Sequence, residues 1–367
     1  MDFPSFELLH WFEETSGAEY VHLSPSGILG FRFHEFGREF PNLNLGEASP
    51  RGLPKLRSLI GALHQTWPES VLVCNGASEA NFLVQAALLS PVDEAIVESP
   101  LYPPLRDSLI GLGATVKKAP RLAGEKWRLD FDALEKAITA KTKIVVLTNL
   151  NNPTSGTLSA AELKRLADLA EAHKFHVHVD ETFRELGFEQ APPSAVTVGP
   201  RFVVTSTLTK VYGLGGLRLG WAVGAPDVIE KVKGIKDYTS ICPNRISEEL
   251  AIWALERRDG FLARAKRICD ANRKVVRAWL DRTPSVECFL PDYGNLCFPK
   301  LPVSVGTLAD KLKDQYHVVI APGRFFGATE HFRLGYGEDH DILEKGLGRV
   351  DMAMKGLERG RRAGKPS

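Results

Sequence analysis

Cysteine is scarce in this chain and follows no pattern. The five residues, Cys74, Cys242, Cys269, Cys288 and Cys297, are odd in number and never spaced as a Cys-x-x-Cys pair, which argues against a disulfide scaffold and a zinc knuckle. An excess of one charge is lacking too, since 46 basic and 45 acidic side chains leave a formal net charge of +1. Without a basic surplus, nucleic acid is not the expected partner. No apolar run approaches the roughly 20 residues of a membrane helix. The opening MDFPSFELLHWFEE carries acids where a secretory leader has a basic stretch. Internal repeats and low-complexity segments are absent as well. The expectation is a soluble, cytoplasmic protein, kept away from membranes and acting on small molecules.

What is present is an ordinary globular composition in an informative order. The 367 residues, 44% of them hydrophobic, can fill about two cores of usual size. From about residue 70, SVLVCNG (70–76), DEAIVES (93–99), ATVKKAP (114–120), KTKIVVLTNL (141–150), FHVHVD (175–180) and RFVVTS (201–206) read as strands. Between them, SEANFLVQAALLS (78–90), LYPPLRDSLIGLG (101–113), DFDALEKAI (130–138) and SAAELKRLADLAEAHK (159–174) read as helices. Asp130 can cap the third, and Ser159 with Glu162 makes a capping-box pair for the fourth. This alternation predicts an α/β domain with a mainly parallel sheet. After about residue 225 come long charged helical stretches, then short strands around VECFLPDYGNLCFPKL, VVIAPG and HFRLGYG, the pattern of a smaller α+β unit. The expected division is a large domain over 46–235, a small domain over 236–367, and a segment 1–45 packing with the small one. The basic end from Arg359, RGRRAGKPS, reads as a frayed, solvated tail.

The segment TSTLTKVYGLGGLRLGW (205–221) has enough glycines to suggest a dinucleotide loop. That fingerprint needs GxGxxG between a strand and a helix. Here the glycines read GxGGxxxG, Arg218 stands where the third should be, and LRLGWAVGAP continues as a strand. The alternative centres on Lys210, which follows the apolar strand RFVVTS and so faces the crevice at the carboxyl edge of the sheet. A lysine there can form a Schiff base with a carbonyl cofactor, and Thr207, Thr209 and Arg218 suit a phosphate. For a lone lysine, a plain surface role is the commoner reading, so the neighbours decide.

Three other segments reach the same edge. NGASEA (75–80) places Gly76, Ala77 and Ser78 at a helix start, where unpaired N–H groups favour an anion. NLNNPTSG (149–156) is a polar loop after a buried strand, holding Asn152 before Pro153, and FHVHVDETF ends its strand in Asp180. His176, His178 and Asp180 alternate on one strand face, a spacing a metal hydrolase could use. No further ligand pattern supports a metal, and a His-x-His pair on a strand is more often structural.

Taken in order, NGASEA, ESPLYPPL, NLNNPTSG, VDETFREL and STLTKVYGLGGLRLGW resemble the signature segments of the class I/II aminotransferases. These are pyridoxal 5'-phosphate (PLP) enzymes of fold type I, in the aspartate aminotransferase superfamily. The likeness continues to APGRFFG and HFRLGYG, and back to LNLGEASPRGLPKLR.

The resemblance implies a homodimer with active sites at the subunit interface, moving an amino group between an amino acid and a 2-oxo acid. It implies that Lys210 carries PLP as a Schiff base and shuttles the proton, while Asp180 pairs with the pyridine nitrogen and keeps the ring an electron sink. Asn152 would bond the ring's 3-oxygen and lie beside the substrate, and Tyr102 would stack on the ring. Gly76, Ala77, Ser78, Thr207, Thr209 and Arg218 would cradle the phosphate. Arg333 would clamp the substrate's α-carboxylate, with Gly27 on the substrate side.

Two positions depart from the pattern. Phe183 stands where many relatives have a tyrosine that bonds the 3-oxygen. Glu47 stands where relatives often have a tyrosine reaching the partner's phosphate, a contact that is then absent or replaced, for instance by Arg51. Glu47 either points to solvent or faces the substrate pocket and favours a cationic side chain. Lys210 and Asp180 would equally serve a lyase, decarboxylase, cyclase or oxidase on the same scaffold. A PLP-binding regulator would need a DNA-binding segment, for which the first 45 residues, acidic around Glu13 and Glu14, are too few.

Overall fold

The apolar runs form an eight-stranded sheet. Named by their first residues, its strands lie in the order Val71, Gly220, Phe202, His176, Thr142, Glu94, Thr115 and Arg128. The structure is a computed structural model describing residues 2–37 and 43–363, with side chains as far as 357. Five adjacent strands, from Phe202 to Thr115 in that order, run parallel. Gly220–Val223 is antiparallel to both of its neighbours, so Val71–Cys74 points the same way as the parallel set. Arg128–Leu129 folds back on Thr115–Leu122.

The strands are apolar because helices cover both faces. On one face, Ala77–Leu88 and Pro226–Lys236 pack over Leu72, Cys74, Val203 and Ala222, and Pro103–Gly111 packs over Ala95, Val97, Ile144 and Val146. The other face packs Leu56, Leu134, Leu163 and Ile252 from four further helices. The predicted caps form. Asp130 accepts the Ala133 N–H at 3.0 Å, and Ser159 and Glu162 close their reciprocal box.

A separate core joins the two ends of the chain. Leu8, Trp11 and Leu23 pack with Trp279, Phe298, Leu308, Val319 and Leu347. Val21–His22 pairs in parallel with Val318–Val319, and Trp11 Nε1 donates to the Ile320 carbonyl at 2.9 Å. Elements not read from the sequence include the helices Glu7–Glu14, Pro54–Leu63, Val305–Tyr316 and His340–Ala363, and the short strands Val21–His22 and Arg128–Leu129. The last helix runs into the stretch expected to fray from Arg359, because its apolar face, through Leu343, Leu347 and Val350, is held by the second core. Residues 364–367 of that tail lie outside the described residues.

Candidate active site

Parallel strands end at one edge of a sheet, and loops from that edge meet there. Val71–Cys74 delivers Ala77 and Ser78, Glu94–Ser99 delivers Tyr102, and Thr142–Thr148 delivers Asn152. His176–Asp180 ends in Asp180 itself, and Phe202–Thr207 leads into Thr207, Thr209 and Lys210. With Arg218 and Arg333 these residues line a single cavity of about 260 Å³.

Two glycines make the anion end possible. A Cβ on Gly220 would lie 2.5 Å from the Gly76 carbonyl carbon, and one on Gly76, whose φ is +90°, would lie 2.6 Å from Arg218 Nη2. Arg218 therefore spans the N-terminus of the Ala77–Leu88 helix, where unpaired N–H groups and a guanidinium favour an anion. Gly76 stands behind that guanidinium and does not line the cavity. Gly27 likewise sits behind Lys210, its added Cβ falling 3.7 Å from the lysine Cδ. Thr207 commits its proton to the Leu219 carbonyl at 2.6 Å, so Thr209, 2.9 Å from Thr207, is the hydroxyl able to turn toward an anion.

At the other end Arg333 is buried and held by two acceptors. It donates to Asn152 Oδ1 at 3.0 Å and to the Ser24 carbonyl at 2.8 Å, while its Nε has no partner among the described residues. The bond through Oδ1 leaves the Asn152 amide N–H groups as donors for a ligand. The loop that presents Asn152 is anchored by the buried Glu98–Arg121 pair, with Glu98 accepting from the Thr148 and Asn151 side chains.

Between these ends lie Lys210 and Asp180. Burial, with Arg333 and Arg218 nearby, lowers the Lys210 pKa to about 8, and Asp180 only partly offsets this. Burial raises the Asp180 carboxyl, opposed by hydrogen bonds from Thr182 and Asn81. An amine that is partly neutral near physiological pH is the nucleophile that condensation with an aldehyde requires.

The histidine alternation belongs to a different network. His178 Nε2 lies 3.1 Å from Thr205 Oγ1, and among the described residues no group of three or more His, Cys, Asp or Glu is placed to share a metal ion. Glu47 is exposed, 3.8 Å from Arg245, and Arg51 pairs with Glu230; neither lines the cavity of this chain.

Sequence reasoning missed Asn81, Thr182 and Ser26, and the apolar wall of Phe6, Leu8, Leu9 and Phe12. Asn81 had a signal, because an asparagine inside the apolar run ANFLVQAAL must find a partner. The wall had none, since its helix lies far from the other site segments in sequence.

A lysine opposite a carboxylate, an anion cradle at one end and a clamped arginine at the other define a site shaped for pyridoxal phosphate. Arg333 Nε, buried at the cavity and without a partner among the described residues, agrees with a polar ligand there. Comparison with known proteins leads to the same class. The sequence matches the family Aminotransferase class I and II over residues 44–350, and the chain belongs to that family. It is a PLP-dependent aminotransferase, moving an amino group between an amino acid and a 2-oxo acid.

A PLP-dependent aminotransferase from Streptococcus suis 89-1591 superimposes with a TM-score of 0.89 at 25% identity, covering 100% of both chains. Capreomycidine synthase of Streptomyces vinaceus is 27% identical, covering 98% of this chain and 96% of the relative. A probable aspartate/prephenate aminotransferase of Thermus aquaticus is 28% identical, covering 84% of this chain and 83% of the relative. No helix among the described residues is long and apolar enough to cross a membrane.

Proposed function

We propose that Lys210 is the residue that holds PLP and moves the proton of transamination, in a site that favours amino acids with apolar side chains. The single observation carrying this reading is the convergence of Lys210, Asp180, Arg218 and Arg333 on one cavity from separate loops. PLP supplies an aldehyde for the lysine amine and a ring that accepts the electron pair left when the substrate's α-proton departs.

The chain's own groups do the rest. Arg218, Ala77 and Ser78 at the helix start, and the Thr209 hydroxyl would hold the phosphate, with Gly76 making room for the guanidinium and Thr207 positioning Thr209. Asn152 would donate to the ring's 3-oxygen, Tyr102 would stack on the ring, and Asp180 would keep the ring nitrogen protonated. Arg333 would fix the substrate's α-carboxylate. Lys210 Nζ would be the group that carries the α-proton to the cofactor's C4′ carbon, with Gly27 leaving it room against the backbone. The substrate side chain then meets Phe6, Leu9 and Phe12, and this wall supports an apolar donor.

The same reading takes the chain as a cytoplasmic homodimer, supported by its five unpaired cysteines and by an exposed apolar surface taken up below. It divides the chain into 1–45, 46–235 and 236–367, supported by the separate core that the two ends share, although Ile28, Ile252 and Phe261 from the two outer parts pack into the core of the large sheet.

Borohydride treatment of the holoenzyme should leave a cofactor adduct on the peptide containing Lys210. Lys210→Ala should lose the adduct and about 10²–10⁴-fold of kcat. A donor amino acid alone should convert the cofactor to its pyridoxamine form, and a 2-oxo acid should restore it. Release of ammonia or CO₂ with the aldehyde form retained would replace transamination by a lyase or decarboxylase reaction.

A further inference from the structure

We propose that Asn81, Thr205 and His178 form a one-way donor relay that holds Asp180 as a carboxylate aimed at the cofactor's ring nitrogen, which makes them positioning residues for transamination. This rests on the reading of Asp180 given above.

Asp180 Oδ2 accepts from Asn81 Nδ2 at 2.9 Å, which turns the Asn81 carbonyl away from the cavity. Asn81 Oδ1 accepts the Thr205 hydroxyl proton at 2.5 Å. Thr205 Oγ1, having given its proton away, can only accept from His178 Nε2 at 3.1 Å. The imidazole is thereby fixed as the Nε2–H tautomer, and its Nδ1 has no partner among the described residues. Every donor in the row points toward Asp180, so the positive ends of the dipoles add at its carboxylate.

Asn81, Thr205 and His178 are all buried, so the row is shielded from water and each link counts in a low dielectric. Burial also lowers the His178 pKa to about 3, so the imidazole stays a neutral, single-proton donor across the working range. The charged or titratable groups facing Asp180 are Lys210 across the cavity, Glu181 next along the chain and Tyr102. None of them donates to the oxygen that Asn81 holds. The second carboxylate oxygen takes the Thr182 backbone N–H at 2.9 Å, which fixes the carboxylate plane from the other side.

The relay gives the histidine alternation of the strand His176–Asp180 a role other than metal binding. The strand face that carries Asp180 also carries His178, two residues back, and Thr205 is the cross-strand partner of Asp180 on the adjacent strand.

The consequence has a sign. A weaker donor to Asp180 leaves the carboxylate more basic, so the ring nitrogen keeps less of its proton and withdraws less charge. Lys210 Nζ in the holoenzyme then holds its proton to higher pH. The test titrates the visible cofactor band of the holoenzyme and measures the single-turnover half-reaction with one fixed donor. Asn81→Leu is expected to raise the pH midpoint by about one unit and slow the half-reaction about tenfold. Thr205→Val should move both in the same direction by less, and Thr205→Ser, which keeps the hydroxyl, should restore wild-type values.

An Asn81→Leu midpoint equal to wild type, or Val and Ser variants at 205 that move alike, overturns the relay. Should Asn81→Leu fail to fold, the Thr205 pair decides alone. Asp180→Asn separates the two claims. A midpoint unmoved in that variant defeats the ring-nitrogen reading, while one that moves there and stays put in Asn81→Leu defeats the relay only.

Discussion

Phe183 illustrates how one side chain sets the chemistry of its neighbour. It is buried at the cavity beside Thr182, and its ring offers no donor where many relatives offer a tyrosine hydroxyl. With one donor fewer to the ring's 3-oxygen, Lys210 Nζ should keep its proton to higher pH in the holoenzyme. Phe183→Tyr is therefore expected to lower the midpoint of the cofactor's absorbance titration by about one unit, the worth of one hydrogen bond to a charged group. A midpoint that fails to fall would remove this account of Phe183. The same economy of donors holds along the cavity. Thr207 is committed to Leu219, Asn152 Oδ1 to Arg333, and Asn81 to Asp180.

Among the elements, the helix Glu7–Glu14 has the clearest functional consequence. Its sequence ELLHWFEE is amphipathic, and the docked face divides its labour. Leu8 and Trp11 enter the second core, while Leu9 and Phe12, with Phe6 just before the helix, line the cavity. Phe6 also meets the Tyr102 ring edge-on, with centroids 5.9 Å apart. A substrate side chain packed here would gain the transfer energy of an apolar contact, about 1.5–3 kcal/mol for a whole large side chain. Phe12→Ala should therefore cost roughly tenfold or more in kcat/KM for an aromatic or branched donor and little for alanine. Equal losses for both donors would show that the wall shapes the site without selecting the side chain.

The whole molecule shows an apolar surface that one chain leaves uncovered. Leu45, Tyr238, Ile241 and Ile246 are exposed by 67%, 92%, 54% and 38%. Their segments are tied together, because Lys236 donates to the Pro50 and Ile241 carbonyls at 2.8 and 2.7 Å and Arg245 approaches Glu47. The proposed homodimer would cover these side chains. Wild-type protein is expected to sediment as two chains of 40.5 kDa each, and the double variant Tyr238→Glu, Ile241→Glu as one, with activity lost in parallel. A variant that stays dimeric would move the interface elsewhere.

Much of this protein is legible in its sequence. The strands were readable because parallel strands buried on both faces must be apolar along their length. That Lys210, Asp180 and Asn152 meet at one cavity was readable because loops after such strands converge on one edge. The ordered segments carried the cofactor with them. What local pattern could not contain was contact across distance. The chain's two ends form one core because Val21–His22 pairs with Val318–Val319, and no window of sequence spans that gap. The sequence favoured a structural role for His178 without naming its partner, which only the adjacent strand supplies by bringing Thr205 within its reach. Periodicity determined the scaffold and the likeness of the ordered segments to a known family pointed to the reacting groups, while packing between distant segments decided which neighbours surround them.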